Sequence, residues 1–121
     1  MAKLAILVGH TERGPGAKAV SPIREYEYFW NRDLAEKMVE AAGQIDGFEA
    51  RIFFRDDGGL KGAFERVLAW GADASIELHF NAASSKATGT ETLYQTDASL
   101  GLARAVHAAT VKVLGDRKSV V

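Results

Sequence analysis

Cysteine is absent from this chain, which excludes disulfide staples and thiolate metal sites together. Any metal must be held by nitrogen and oxygen. Neither sign of charge dominates, since 15 Lys and Arg stand against 16 Asp and Glu for a formal net charge of −1. Such a balance leaves no electrostatic footprint for nucleic acid or an anionic membrane surface. Long apolar runs are missing as well. The first one, residues 4–8, stops at Gly9, too short for a membrane span and too quickly interrupted for a signal peptide. The chain is therefore expected to be cytoplasmic as synthesised. Only two prolines occur, and no low-complexity linker or internal repeat divides the sequence. With 121 residues, 47% of them hydrophobic, the expectation is a single domain over 1–121 that buries roughly 65% of the surface its unfolded form exposes.

The apolar periodicity changes several times along the chain. Residues 3–8 read as a buried strand and 9–21 as a loop containing Gly, Pro and Ser. A helix is expected over 22–42, with Ser21 as its N-cap, Pro22 at its first position and Gly43 after its last. Residues 48–54 read as a second strand, broken by Asp56-Asp57-Gly58-Gly59. Leu60, Phe64, Val67, Leu68 and Gly71 then keep helical spacing. Further strands are expected at 74–80 and 89–95, and a last helix at about 99–114. Strands alternating with helices predict an α/β fold, a mostly parallel central sheet flanked by helices. The short connection between the last two strands adds an antiparallel hairpin at 74–95.

In such sheets the reactive crevice lies beyond the carboxyl ends of the strands. Two of the three histidines belong there: His10 follows the first strand and His79 lies near the end of the run 74–80. A histidine at a strand end is more often a hydrogen-bonded structural residue than a ligand, but two equivalent placements in one sheet favour a shared site. Glu27 joins them. At ~100° per residue, Ile23, Trp30, Leu34, Met38 and Ala41 fall within about 60° of it, so its carboxylate is expected on the core side of the helix. Burying an unpaired carboxylate costs several kcal/mol, and a cation would offset that cost, although backbone N–H groups and solvent in the first helical turns could do so too. Two imidazoles and one carboxylate suit a catalytic zinc with a fourth position open. His107, inside the last helix, reads as a packing or surface residue. The loop Gly9-His10-Thr11-Glu12-Arg13-Gly14-Pro15-Gly16-Ala17-Lys18 follows a strand as a phosphate cradle would. It lacks the Lys-Ser/Thr that a P-loop requires after its second glycine, so its glycines are expected to fold the loop around a ligand and keep His10 exposed.

Together these pieces resemble the zinc-dependent N-acetylmuramoyl-L-alanine amidases of type 3. The resemblance rests on the strand with His10 and its Gly-rich loop, Glu27 followed by Asn31 and Leu34-Ala35, then Arg66 and Ala72-Asp73. It continues through Ile76-Glu77-Leu78-His79-Phe80-Asn81-Ala82 and Gly89-Thr90-Glu91-Thr92-Leu93-Tyr94. The last two segments are most similar to phage and prophage members. The resemblance implies zinc held by His10, Glu27 and His79, and peptidoglycan as the partner, cleaved between N-acetylmuramic acid and L-alanine. Zinc in such a site polarises the amide carbonyl and makes water a nucleophile near neutral pH. Asn81 and Arg66 would be outer partners or structural groups. The protein would reach the cell wall after release or as a phage component.

The chain also departs from that pattern. The family usually carries a catalytic glutamate on a strand beyond the last helix, and residues 116–121, Asp-Arg-Lys-Ser-Val-Val, hold no such segment. Glu77, which shares a strand face with His79 at period two, and Glu91 on the next strand stand as candidates for a general base. Glu77 could equally accept a histidine N–H. The alternative function is an inactive or truncated zinc-bearing module that binds peptidoglycan. A sheet edge left uncovered would favour self-association.

Overall fold

The computed structural model describes residues 1–81 and 89–115, in two compact units, Met1–Phe80 and Asn81–Val121. The first unit runs β1 (Ala2–Val8), α1 (Glu27–Ala42), β2 (Phe48–Phe54), α2 (Gly59–Trp70) and β3 (Ala74–Leu78). Its three strands form a parallel sheet in the order β2-β1-β3. The α/β expectation holds.

The central strand β1 is apolar at successive positions rather than alternate ones because both of its faces are covered. Ile6 and Val8 pack with Tyr28, Ala35 and Ala42 of α1, and Ala5 and Leu7 pack with Phe53 of β2 and with Ala63 and Val67 of α2. All four β1 residues from Ala5 to Val8 are fully buried. The sheet is thus a rigid floor between two helices, and its carboxyl edge delivers Gly9 and His10 from β1, Arg55 from β2 and His79 from β3.

Helix α1 begins five residues later than its sequence signals suggest. The backbones of 17–19 and 25–27 pair with each other, Ala19 N–H donating to the Glu25 carbonyl and Glu27 N–H to that of Ala17, both at 2.8 Å. Ser21 and Pro22 consequently lie in the turn of that pairing and not at a helix start. Tyr26, extended, is the true N-cap residue, and its side chain caps nothing. The loop supplies the cap instead: carbonyls of Ala17 and Pro15 accept the first two helical N–H groups.

The buried face of α1 also differs from the expected stripe. It is Glu27, Tyr28, Asn31, Ala35 and Ala42, whereas Trp30 and Leu34 are 42% and 39% exposed. The contact with the sheet is made by small residues and one tyrosine, so the largest apolar side chains do not mark the packed face.

In the second unit the expected strand at 89–95 is not formed among the described residues, where only Glu91 is assigned even a single bridge. The hairpin expected at 74–95 is corrected accordingly, β3 ending at Leu78; its loop, residues 82–88, lies outside the described residues, as does the chain end 116–121. Helix α3 (Asp97–Leu114) starts two residues before the expected position, because Thr96 and Ser99 cap it reciprocally. His107 is buried in α3, its Nδ1 2.9 Å from Thr92 Oγ1. That is the packing role expected of it. Among the described residues no helix is long and apolar enough to cross a membrane.

Candidate metal centre

Past Val8 the chain must leave the sheet, and it does so through His10 in the left-handed region, φ 69°, an uncommon conformation for a residue with a side chain. Gly9 N–H still bonds the Leu78 carbonyl at 3.1 Å, so the strand ends carrying His10 and His79 are tied directly. Glu27 occupies the first position of α1 and its side chain is 4% exposed. Its Oε2 lies 2.9 Å from His10 Nε2 and 2.8 Å from His79 Nδ1. The two imidazoles stand edge to face with centroids 5.3 Å apart. One ligand atom from each of the three residues falls within 4.8 Å of the others.

Two glycines make room for this cluster. A Cβ on Gly9 would stand 2.4 Å from His79 Cε1 and 2.6 Å from its Nδ1, and one on Gly16 would stand 2.7 Å from His10 Cδ2 and 3.0 Å from Glu27 Oε1. Gly16 also needs its φ of 79°. The Gly-rich loop folds back against the side chains of His10 and Glu27.

Asp56, just beyond β2, fixes the loop from the other side. Its Oδ1 accepts Glu12 N–H at 2.8 Å and its Oδ2 accepts the Tyr28 hydroxyl at 2.9 Å. One carboxylate thus joins the loop after β1, the start of α1 and the end of β2. Burial, with the hydrogen bond to Asp56 next, pushes the Tyr28 hydroxyl up to about 12 from 10.0. A group whose folded value is raised contributes stability that is complete below its unfolded value and is lost as pH climbs through the folded one. Wild type should therefore lose stability relative to Tyr28→Phe between pH 10.0 and about 12, read as urea midpoints. Parallel curves for the two proteins across that window would remove the linkage.

Other residues singled out from sequence have different places. Arg66 donates to the carbonyls of Asp57 and Phe54, so it holds the turn after β2 and acts structurally. Asn81 Nδ2 donates to Glu91 Oε2 at 3.4 Å within the second unit. Glu77 is bonded by the Arg55 guanidinium, and its Oε1 is 3.5 Å from His79 Nε2. Sequence reasoning missed Arg55, Asp56 and the role of Gly16. The break Asp56-Asp57-Gly58-Gly59 after a strand marked the neighbourhood of Asp56, but nothing local marked Arg55.

An α/β sheet whose carboxyl edge gathers two imidazoles and a buried carboxylate presents a donor set that could hold a metal ion. Comparison with known proteins is more specific. The family model described as N-acetylmuramoyl-L-alanine amidase matches residues 4–121. The chain also resembles the solved catalytic domain of CwlV, an N-acetylmuramoyl-L-alanine amidase from Bacillus (Paenibacillus) polymyxa var. colistinus. Identity is 26% and the TM-score 0.81, over 99% of this chain and 69% of that one. A search of the curated proteins finds no match. The chain belongs to the N-acetylmuramoyl-L-alanine amidase family.

Proposed function

We propose that this chain hydrolyses the amide between N-acetylmuramic acid and L-alanine in peptidoglycan, using a zinc ion held by His10, Glu27 and His79. The observation that carries the reading is the convergence of His10 Nε2, Glu27 Oε2 and His79 Nδ1 from three different elements onto one point at the sheet edge. The donor set fits the ion: no thiol is present, two neutral nitrogens and one anionic oxygen are, and the buried carboxylate has no Lys or Arg within ion-pair distance among the described residues. Three protein ligands leave a fourth position for water and substrate. Zinc bound there would polarise the scissile carbonyl and lower the pKa of water. The protein's part is to keep the three donors fixed, with Gly9 and Gly16 leaving room for the imidazoles and Asp56 holding the loop. The segments around His79 and Glu91 further support placing the chain with phage and prophage lysins.

The purified protein should take up about one zinc per chain, and zinc-dependent release of stem peptides beginning with L-alanine should be measurable on purified peptidoglycan. The His10→Ala/His79→Ala double variant should lose both. Elemental analysis showing no zinc after reconstitution, or equal zinc in the double variant, removes the site. Zinc uptake and peptidoglycan binding without any peptide release would point instead to a zinc-bearing binding module.

A further inference from the structure

Asn31 lies one turn below Glu27 on α1. The buried face of that helix is made of Glu27, Tyr28, Asn31, Ala35 and Ala42, and Tyr28, Ala35 and Ala42 pack on Ile6 and Val8 of β1. Asn31 is 3% exposed, and its Nδ2 has no hydrogen-bond partner. A buried amide donor left unpaired is destabilising, because folding strips its water and returns nothing. Leucine has the same branched outline and would carry no such cost. The amide therefore needs an acceptor within its reach. Residues four apart on a helix are neighbours, about 5–6 Å between Cβ atoms, and helical side chains tilt toward the N-terminus, which for Asn31 is the direction of Glu27. Glu27 is the only anionic side chain on this face, and its contacts with His10 and His79 are both made by Oε2.

The spacing of the cluster indicates when such a bond would form. Oε2 stands 2.9 Å from His10 Nε2 and 2.8 Å from His79 Nδ1, the separations of hydrogen-bonded groups. Around a zinc with bonds of about 2.0–2.2 Å, tetrahedral donor atoms are roughly 3.4 Å apart. Loading therefore opens the cluster by about half an ångström, and the carboxylate must take up a new rotation. We propose that Asn31 is a positioning residue for Glu27, its Nδ2 donating to the carboxylate in the loaded site and fixing the rotation that aims one oxygen at the ion. This rests on the zinc reading above. A hydrogen bond to an anionic acceptor is roughly twice as strong as a neutral one, and it would satisfy the one donor of this face that the fold leaves unpaired.

The test uses the full chain and three readouts: NMR of the Asn31 side-chain amide during a zinc titration, zinc affinity from competition against a chromogenic chelator, and the Tm of the zinc-free protein. On zinc addition the Nδ2 hydrogens of Asn31 should shift downfield and exchange with solvent more slowly. Asn31→Leu should raise the zinc-free Tm by about 2–8 °C and yet weaken zinc binding by about 10–100-fold, the usual loss for an outer partner of a metal ligand. Asn31→Ala, which also gives up packing, should lower that Tm and weaken zinc binding as much. A purely structural role would make affinity follow stability, so a leucine variant that binds zinc as tightly as wild type overturns the proposal. Asn31 amide resonances that stay unchanged at zinc saturation overturn it as well. A wild type that takes up no zinc removes the metal reading and this role together, whereas normal uptake by wild type with unaltered affinity in both variants removes this role alone.

Discussion

Glu27→Ala should weaken zinc binding by well over tenfold, more than about 1.4 kcal/mol, and carry peptidoglycan turnover down with it. Among the three proposed ligands Glu27 would supply the only anionic one, and its Oε2 touches both histidines. Its removal leaves two neutral nitrogens, a set too small and uncharged to hold zinc firmly at an open site. Stability should respond differently. A 4% exposed carboxylate bears a desolvation cost that alanine does not, and the histidines, more than a third exposed, can stay hydrated without it. The zinc-free variant should therefore melt close to zinc-free wild type, the deficit appearing only when zinc is added. Glu25→Ala, two residues earlier in the paired loop segment, should leave affinity unchanged. Equal zinc affinity in the Glu25 and Glu27 variants would show that Glu27 is not a ligand.

How much of this could be read from the sequence depends on the range of the interactions involved. The strands β1 and β2 and the helix α2 follow from local apolar patterning, and β1 in particular declares its burial on both faces by its unbroken run. His10 and His79 were legible because a strand end in a parallel sheet is a position with chemical meaning. The start of α1 was not. Ser21-Pro22 is a good local helix start, but the pairing of 17–19 with 25–27 satisfies more backbone groups and overrides it. Helical phasing predicts Glu27 as a buried carboxylate on an apolar stripe, and it is buried; the stripe itself is displaced, with Trp30 and Leu34 largely outside the packed face. What buries Glu27 is its place at the first turn, under the Gly-rich loop and beside both imidazoles. Arg55 was illegible because its partner is 22 residues away on a strand that is not even its neighbour in the sheet.

Zinc should also be a structural clip. Its three proposed ligands come from the exit of β1, the first residue of α1 and the exit of β3, segments separated by 17 and 52 residues of chain. An ion that binds the folded form and not the unfolded one stabilises it by RT ln(1 + [L]/Kd), about 2.7 kcal/mol at a hundredfold excess over Kd. For a chain of this length that corresponds to a rise in Tm of roughly 10 °C. Residual affinity of the two histidines in the unfolded chain reduces the gain without reversing it. Calorimetry of the stripped protein titrated with zinc measures the rise, a chelator should undo it, and the His10→Ala/His79→Ala variant should show none. Because the proposed ligands would tether the loop after β1 to α1 and to the end of β3, hydrogen exchange at Thr11 and Gly14, whose N–H groups are bonded only within that loop, should slow on zinc addition more than exchange in the β1 core. A zinc-saturated protein with an unchanged Tm would mean that the ion binds folded and unfolded chains alike, and the preformed three-ligand site would be wrong.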